Sequence, residues 1–235
     1  MGRAFEKRKT QKMARWSQIS KAFTRIGKEI AISVKLGGPE PVSNPRLRMA
    51  IQNAKAVNMP KEKVENAIKR ASNKEEKDFA EVVYEGYGPH AVAIVVECAT
   101  DNPTRTVANL RTYFNKNNGT LGKTGSLDFL FERQGVFSIH KGTIDPEELE
   151  LELIDFGAEE VEEDGDEIFI YTAYEGFGIM QKALEDKGIE VVKAELQRFP
   201  LNTVTLTEEQ EEQVNKLLEK LEDDDDVQQV FHNMA

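Results

Sequence analysis

The chain contains 235 residues, of which 39% are hydrophobic and 31% are charged. Globular chains average about 45–50% apolar and about 25% charged residues, so this composition favours several small domains over one large core. The sequence lacks a run of about 18 apolar residues, which excludes a transmembrane helix, and we expect a cytoplasmic protein with no membrane partner. Cys98 is the only cysteine and the three histidines lie far apart in the sequence, so we expect no disulfide framework, no metal site and no cofactor.

The charge is divided unevenly along the chain. Residues 1–77 contain 19 Lys and Arg against 7 Asp and Glu, a net charge of +12, whereas residues 78–235 contain 12 against 35, a net charge of −23. This asymmetry predicts a basic segment that binds a polyanion, attached to an acidic body that polyanions avoid. The alternative is that the basic segment docks on the acidic one within the same molecule.

The basic segment is predicted to be helical after a short arm. Residues 1–15 lack apolar periodicity, and we expect them to be mobile until a partner binds. Helical spacing of apolar residues begins at Ser17 and ends at Gly37-Gly38-Pro39. A second helix is expected to open at Asn44-Pro45 and a third at Pro60.

After a polar linker, the pattern changes to the alternation that is typical of strands. Val82–Tyr87 and Ala91–Cys98 are predicted strands joined by a turn. A helix is expected from Pro103, followed by a strand at Ser126–Phe131.

The remaining sequence repeats one order of elements. Residues 135–199 are predicted to run strand, helix, strand, strand, helix, strand, which is the ferredoxin-like βαββαβ order, with a hairpin at Asp164-Gly165. A strand at Asn202–Leu206, a helix from Thr207 and a strand at Val227–Phe231 follow. Together with the strand at 91–98, the helix at 103–117 and the strand at 126–131, these complete a second βαββαβ unit.

We therefore predict an α+β fold of three domains. An N-terminal three-helix domain is followed by two ferredoxin-like domains, the last of which is inserted into the middle one. The predicted ranges are residues 1–77 for the basic helical domain with its arm, 78–134 plus 200–235 for the discontinuous middle domain, and 135–199 for the inserted domain.

Gly122-Lys123-Thr124 has a superficial likeness to a phosphate-binding P-loop. The first glycine of that motif is missing, because Asn117 occupies its position, and the segment follows a helix rather than a strand. Two interpretations of the Gly119–Gly125 loop stay open. It lays its backbone and Lys123 against an RNA or another partner, or it is a simple connection between a helix and a strand.

The segment around Pro103 could hold a phosphate at a helix N-terminus, because free backbone N–H groups there point outward beside Arg105 and Thr106. Asp101 argues against an anion site. In the alternative interpretation, Asp101 is a second helix cap or forms an ion pair with Arg105 or Arg111.

The other conspicuous residues favour structural roles. The acidic tract Glu222–Asp226 lacks the spacing of a calcium loop and is expected to be a solvated loop. Cys98 falls on an apolar strand face and is expected to be a buried, inert thiol. Trp16 and Phe23 could stack on bases or pack in the core. No catalytic constellation is evident, so we expect a protein that is not an enzyme.

Several blocks, in order along nearly the whole chain, resemble the YebC family. They are Leu36–Pro39, Asn44–Arg48, Asn58–Lys61, Ala67–Arg70, Tyr84–Pro89, Thr100–Thr106, Gly119–Ser126 and Leu221–Asn233. The resemblance implies a helical N-terminal domain and two ferredoxin-like domains. It also implies a probable transcriptional regulator that binds DNA, although the family is similar to a mitochondrial translational activator as well. Many relatives begin with Gly-His-Ser-Lys-Trp, whereas this chain has no histidine before His90.

We therefore expect a regulator of gene expression that binds nucleic acid through Lys and Arg. The family resemblance favours a DNA-binding transcriptional regulator, whereas the basic extension, the adaptable loops and the acidic body by themselves lean to the alternative. The alternative is a translation factor associated with ribosomal RNA or the ribosome, and a hydrolase or transferase is the third hypothesis. The candidate nucleic-acid contacts are Arg3, Lys7, Arg8, Lys9, Lys12, Arg15, Lys21, Arg25, Lys28, Lys35, Arg46, Arg48, Lys55, Arg105, Arg111 and Lys123.

Overall fold

A computed structural model describes residues 3–73 and 78–235, with side chains described from residue 19 onward. Its α-helices are α1 (Arg3–Gly37), α2 (Pro45–Ala56), α3 (Lys61–Ala71), α4 (Pro103–Lys116), α5 (Pro146–Leu153), α6 (Phe177–Asp186) and α7 (Glu208–Glu222). Its strands are β1 (Ala80–Tyr87), β2 (Ala93–Thr100), β3 (Thr120–Leu121), β4 (Phe131–His140), β5 (Ala158–Asp164), β6 (Glu167–Ala173), β7 (Val191–Pro200) and β8 (Val227–His232). Within the described residues the strands form two four-stranded antiparallel sheets, so the fold is mixed α and β.

The helices α1, α2 and α3 bury the apolar stripes that their sequences predict. Ile30 and Leu47 are fully buried where α1 meets α2, and Val64 closes this core from α3. The first helix begins at Arg3 rather than at Ser17, so the predicted start of this helix is wrong. The expectation that residues 1–15 are mobile until a partner binds stays a prediction.

Asn44 joins the end of α1 to the start of α2. Its side-chain oxygen accepts a hydrogen bond from the Leu47 N–H at 3.0 Å, while its amide nitrogen donates to the carbonyl oxygens of Ser33 at 2.7 Å and Gly38 at 2.8 Å. The predicted helix cap is confirmed, and the same side chain also satisfies carbonyls at the C-terminal end of α1.

The first sheet has the strand order β3-β1-β2-β8, with α4 and α7 packed on one face. Its central strand β2 is buried on both sides. Ile94 and Cys98 pack under α4 and α7, as the alternating pattern predicted, whereas Val95 on the opposite face contacts Leu127 and Phe131. Gly86 in β1 allows close approach of β3, because a Cβ atom there would lie 2.6 Å from the Thr120 carbonyl oxygen.

The strand content of the first sheet differs from the prediction. The expected strand at Ser126–Phe131 is wrong, because Asp128–Leu130 form a 3₁₀ turn and the next strand starts at Phe131. The expected strand at Asn202–Leu206 is also wrong, since pairing there is limited to one bridge between Val204 and Met234. The short strand β3 and the hairpin strand β1 occupy the sheet instead, so its element order is not βαββαβ.

The second sheet has the order β5-β6-β4-β7 and matches the predicted element order. The helices α5 and α6 cover one face, where Phe137 stacks on Phe177 with ring centroids 4.6 Å apart. Gly165 has a φ of +60° in the β5–β6 turn, as expected for Asp-Gly. Because the strands of the first sheet come from both sides of this segment in sequence, the second sheet interrupts the first. The predicted domain boundaries stay predictions.

Polar contacts fix the helical region and the first sheet to the second sheet. The buried Asn53 side chain on α2 donates to the Ala194 carbonyl at 3.0 Å and accepts from the Ala194 N–H at 3.1 Å, so it pairs with β7 as a further strand would. Arg198 on β7 is 8% exposed and contacts Glu97 on β2 at 2.9 Å and Asp128 at 3.4 Å.

We expect Asn53→Ala to lower the free energy of unfolding by about 1–3 kcal/mol, because it leaves the N–H and the carbonyl of Ala194 buried without partners. Urea denaturation measures this change. Gln52→Ala, at the neighbouring and only partly buried α2 residue, is the control and should cost much less. Equal losses in the two variants would show that the amide pair adds no stability.

A cavity of about 990 Å³ lies where α1 and α2 face both sheets. Glu29 of α1 forms part of its wall. Burial raises the pKa of Glu29 to about 7; the positive charge of Arg46 opposes this rise, and Glu195 and Glu81 add to it. Because the folded protein holds this proton more tightly than the unfolded chain, the residue lowers stability as the pH rises from about 4.5 to 7.

We therefore expect Glu29→Gln to raise the free energy of unfolding by about 1–3 kcal/mol at pH 8 and to change it little at pH 4.5. Chemical denaturation at both pH values tests this expectation. The exposed Glu40→Gln variant should show the pH dependence of the parent protein. If Glu29→Gln raises the free energy of unfolding equally at both pH values, the pKa of Glu29 is not raised in the folded protein.

Candidate nucleic-acid interface

The candidate cations fall into groups with different surroundings. The side chains of one group lie outside the described residues: Arg3, Lys7, Arg8, Lys9, Lys12 and Arg15. The remaining candidates can be placed, and most of them already contact acceptors of this same chain.

The second half of α1 lies against the acidic tract that follows α7. Lys21 forms an ion pair with Asp223. One turn further along, the Arg25 guanidinium donates to the carbonyl oxygens of Glu222 at 3.1 Å and Val227 at 3.2 Å. The intramolecular docking that the sequence left open as an alternative is therefore observed for this part of the basic segment.

Asp226 is the centre of this contact. The residue is buried, with 5% of its surface exposed. Its carboxylate accepts from the Lys28 ammonium at 2.9 Å and from the Arg105 guanidinium at 2.6 Å. The hydroxyl groups of Thr106 and Thr100 donate to it at 2.9 and 3.1 Å. One side chain thus holds α1, the start of α4 and the end of β2 together.

The environment of Asp226 decides its protonation. Burial by itself would raise its pKa, but hydrogen bonds from Arg105, Lys28 and Thr106 outweigh burial and lower the pKa to about 2. The expectation of a solvated loop over Glu222–Asp226 is therefore wrong for Asp226, whose burial is compensated by cations that the sequence places far away.

We expect Asp226→Asn to lower the free energy of unfolding by about 3–5 kcal/mol at pH 7, because Lys28 and Arg105 would lose the carboxylate that neutralises them. The depressed pKa makes this stabilisation complete above about pH 4, and it is lost as the pH falls towards 2. Urea titrations of parent and variant from pH 7 to pH 2 should converge at the acidic end.

The exposed neighbour Asp225 supplies the matched control. Asp225→Asn removes an equal charge from the same tract and should cost less than about 1 kcal/mol. An Asp226→Asn variant that is no less stable than Asp225→Asn at pH 7 would contradict the role of Asp226 in holding α1, α4 and β2 together.

Three further candidates on α1 and α2 pair with the acidic body, whereas Lys55 on α2 does not do so within the described residues. These pairs are Lys35 with Asp78, Arg46 with Glu81 and Arg48 with Glu185. The Arg48 pair is bidentate, with nitrogen–oxygen distances of 3.0 and 3.1 Å, which is the strongest geometry for such a contact. It fixes the start of α2 to the end of α6.

The N-terminus of α4 already holds an anion. Asn102 caps the helix by accepting from the Arg105 N–H at 3.1 Å, and the Arg105 side chain contacts Asp101 at 2.9 Å in addition to Asp226. The residue types that favoured a phosphate site here instead receive carboxylates of the chain. The ion pair between Asp101 and Arg105, one of the alternatives at this position, is present.

The loop that carries Lys123 is anchored by a buried carboxylate. Glu85 of β1 is 1% exposed and accepts from the N–H groups of Gly125 at 2.7 Å and Leu127 at 2.6 Å. Its own carbonyl accepts from the Gly122 N–H at 2.7 Å. The loop backbone therefore faces inward, and Lys123 projects from it as an exposed side chain.

A set of exposed cations has no carboxylate within ion-pair distance among the described residues. It includes Lys55, Lys63, Lys69 and Arg70 on α2 and α3, and Arg111, Lys116, Lys123, Arg133, Lys182 and Lys220 on the rest of the chain. The sequence selected Lys55, Arg111 and Lys123 and missed the α3 members. Val64 is buried on α3, whereas Lys63 and Arg70 are exposed. Their helical spacing relative to the apolar residues of α3 is the sequence signal that could have identified them.

Comparison with known proteins identifies the family. Residues 3–74 match the model described as the TACO1/YebC protein N-terminal domain, and residues 79–234 match the TACO1/YebC second and third domain. The chain therefore belongs to the TACO1/YebC family, and the predicted resemblance is confirmed.

Relatives match over their full lengths. A probable transcriptional regulatory protein of Cytophaga hutchinsonii is 62% identical over 235 residues, with 100% of this chain and 99% of that protein aligned. A probable transcriptional regulatory protein of Flavobacterium johnsoniae is 57% identical over 234 residues, again with 100% and 99% aligned. The crystal structure of a conserved hypothetical protein from Aquifex aeolicus superimposes with a TM-score of 0.79 at 41% identity, covering 93% of this chain and 90% of that one.

Where side chains are described, no group of three or more His, Cys, Asp or Glu is arranged to hold a metal ion. The described helices include none with the length and apolar character needed to cross a bilayer. Cys98 is buried, and burial raises the pKa of its thiol to about 12, so the reactive thiolate is scarce at neutral pH.

Proposed function

We propose that this protein is a DNA-binding transcriptional regulator that contacts phosphates through the cations that its own carboxylates leave unpaired. The observation that carries the proposal is the selective neutralisation of the basic segment. Lys21, Lys28 and Arg48 are paired within the molecule, whereas Lys55 and Lys69 project into solvent. The names of the family relatives support a regulatory role.

The proposed interface has a main part and a smaller part. The main part is the solvent face of α2 and α3, together with the candidate cations of the first half of α1. The smaller part is formed by Arg111 on α4 and Lys123, which would set the orientation of the bound duplex. The paired cations have a different proposed role, since they hold the basic helices on the body.

The acidic body limits where a polyanion can bind. Residues 78–235 carry a net charge of −23, and a surface of that sign repels phosphates within a Debye length of about 8 Å at physiological salt. A duplex would therefore bind mainly along the helical region and would meet the body only near Arg111 and Lys123. Such an arrangement favours one binding orientation without base contacts.

The salt dependence of binding tests the main part of the interface. We expect Lys55→Gln/Lys69→Gln to lower the slope of log affinity against log salt by roughly 1.8, because each lost phosphate contact on duplex DNA removes about 0.9. The Arg111→Gln/Lys123→Gln variant tests the smaller part by the same measurement. Fluorescence anisotropy with a labelled duplex supplies the affinities.

The matched control is Lys182→Gln/Lys220→Gln, which removes two exposed cations from α6 and α7 and should leave the slope unchanged. Equal slopes for all variants would overturn the proposed interface. Co-sedimentation with ribosomes tests the translation-factor alternative. If it persists at salt concentrations where duplex binding is lost, the ribosome is the main partner.

A further inference from the structure

A groove of about 590 Å³ runs between α1 and α3 on the helical region. This volume falls within the range of about 300–1,000 Å³ that small-molecule sites occupy. Phe23, Met59 and Ala67 supply apolar walls. Gly27 lies on the α1 side, where a Cβ atom would have no heavy atom within 4 Å, so the groove is open at that point.

The groove combines a ring face with cations. The Lys63 ammonium lies 4.9 Å from the centroid of the Phe23 ring, and Arg70 lines the groove about two turns further along α3. Neither cation has a carboxylate within ion-pair distance among the described residues. Asn66, between them on the same face, offers both a donor and an acceptor.

This combination fits a nucleobase with its flanking phosphates. Every base has a π-face that stacks on an aromatic ring, whereas an exposed ammonium over a phenyl ring is held more weakly than a stacked base. An incoming base can therefore displace the Lys63 ammonium from Phe23. The released ammonium would then lie beside a phosphate, with Arg70 near the next part of the backbone.

A base inside a regular duplex cannot use this groove, because its faces are covered by its neighbours in the stack. The occupant has to be unpaired or extruded, as bases in bulges, loops and single strands are. The cationic rim distinguishes such a ligand from an apolar segment of a protein, which would gain nothing from Lys63 and Arg70.

We propose that the α1–α3 groove binds one unpaired nucleobase of a bound nucleic acid, with the base on Phe23 and the adjoining phosphates at Lys63 and Arg70. The inference deepens the proposed function and rests on it. It assigns to the helical region a preference for distorted or partly single-stranded nucleic acid over a regular duplex.

The test compares a fully paired DNA duplex with the same duplex carrying one unpaired adenine, by anisotropy at matched salt. We expect the bulged duplex to bind about tenfold more tightly. Replacing the unpaired adenine by 2-aminopurine should give a fluorescence change on binding as the base stacks. An RNA duplex with the same bulge shows whether the preference depends on the sugar.

Two variants remove the groove in different ways. Phe23→Leu keeps apolar volume but removes the ring, and Gly27→Leu fills the groove without changing a charge and at a helix position where leucine is favoured over glycine. Each should abolish the tenfold preference and leave the affinity for the paired duplex unchanged. Phe129→Leu, at a phenylalanine that is 71% exposed elsewhere, is the matched control and should keep the preference.

The outcomes separate the inference from the proposed function. Parent protein that binds both duplexes equally, or variants that retain the preference, overturn the groove assignment while DNA binding stands. Failure of the parent protein to bind either duplex overturns both. Thermal unfolding of each variant confirms that a lost preference reflects the groove and not a lost fold.

Discussion

The buried carboxylate of Asp226 holds the basic helix α1 on the first sheet. It neutralises Lys28 from α1 and Arg105 from α4, and it accepts from threonine hydroxyls at the junction of β2 and α4. A charge buried to this degree is tolerated only when its partners are in place. The contact therefore couples the position of the basic helix to the correct folding of the first sheet, although these residues are far apart in sequence.

This contact changes the meaning of the charge asymmetry. The basic segment serves two purposes, because one subset of its cations fastens α1 and α2 to the acidic body and another remains exposed. The acidic tract after α7 occupies Lys21 and Arg25 much as a phosphate backbone would. Within the described part of the basic segment, the cations available to a partner lie on α2 and α3, at Lys55, Lys63, Lys69 and Arg70.

In two segments whose sequences resemble anion sites, the donor groups contact carboxylates of this same chain. The start of α4 receives Asp226, and the glycine-rich loop before β4 wraps its N–H groups around Glu85. Carboxylates and phosphates are recognised by the same donors, namely guanidinium groups and free backbone N–H groups. A pattern that predicts an anion site therefore identifies the donors correctly without identifying the anion.

The mixed α and β class, the family, the helix cap at Asn44, the buried face of β2 and the whole βαββαβ order of the second sheet could all be predicted from the sequence. These features follow from residue spacing and local hydrogen bonding, which act over a few positions. The pairing of β3 and β1 in the first sheet, in place of strands at 126–131 and 202–206, and the choice of paired cations depend on tertiary contacts. Gly86 of β1 pairs with Leu121 of β3, about 35 positions away, and Lys28 and Asp226 are 198 positions apart. Residue spacing over a few positions carries no information about contacts at those separations.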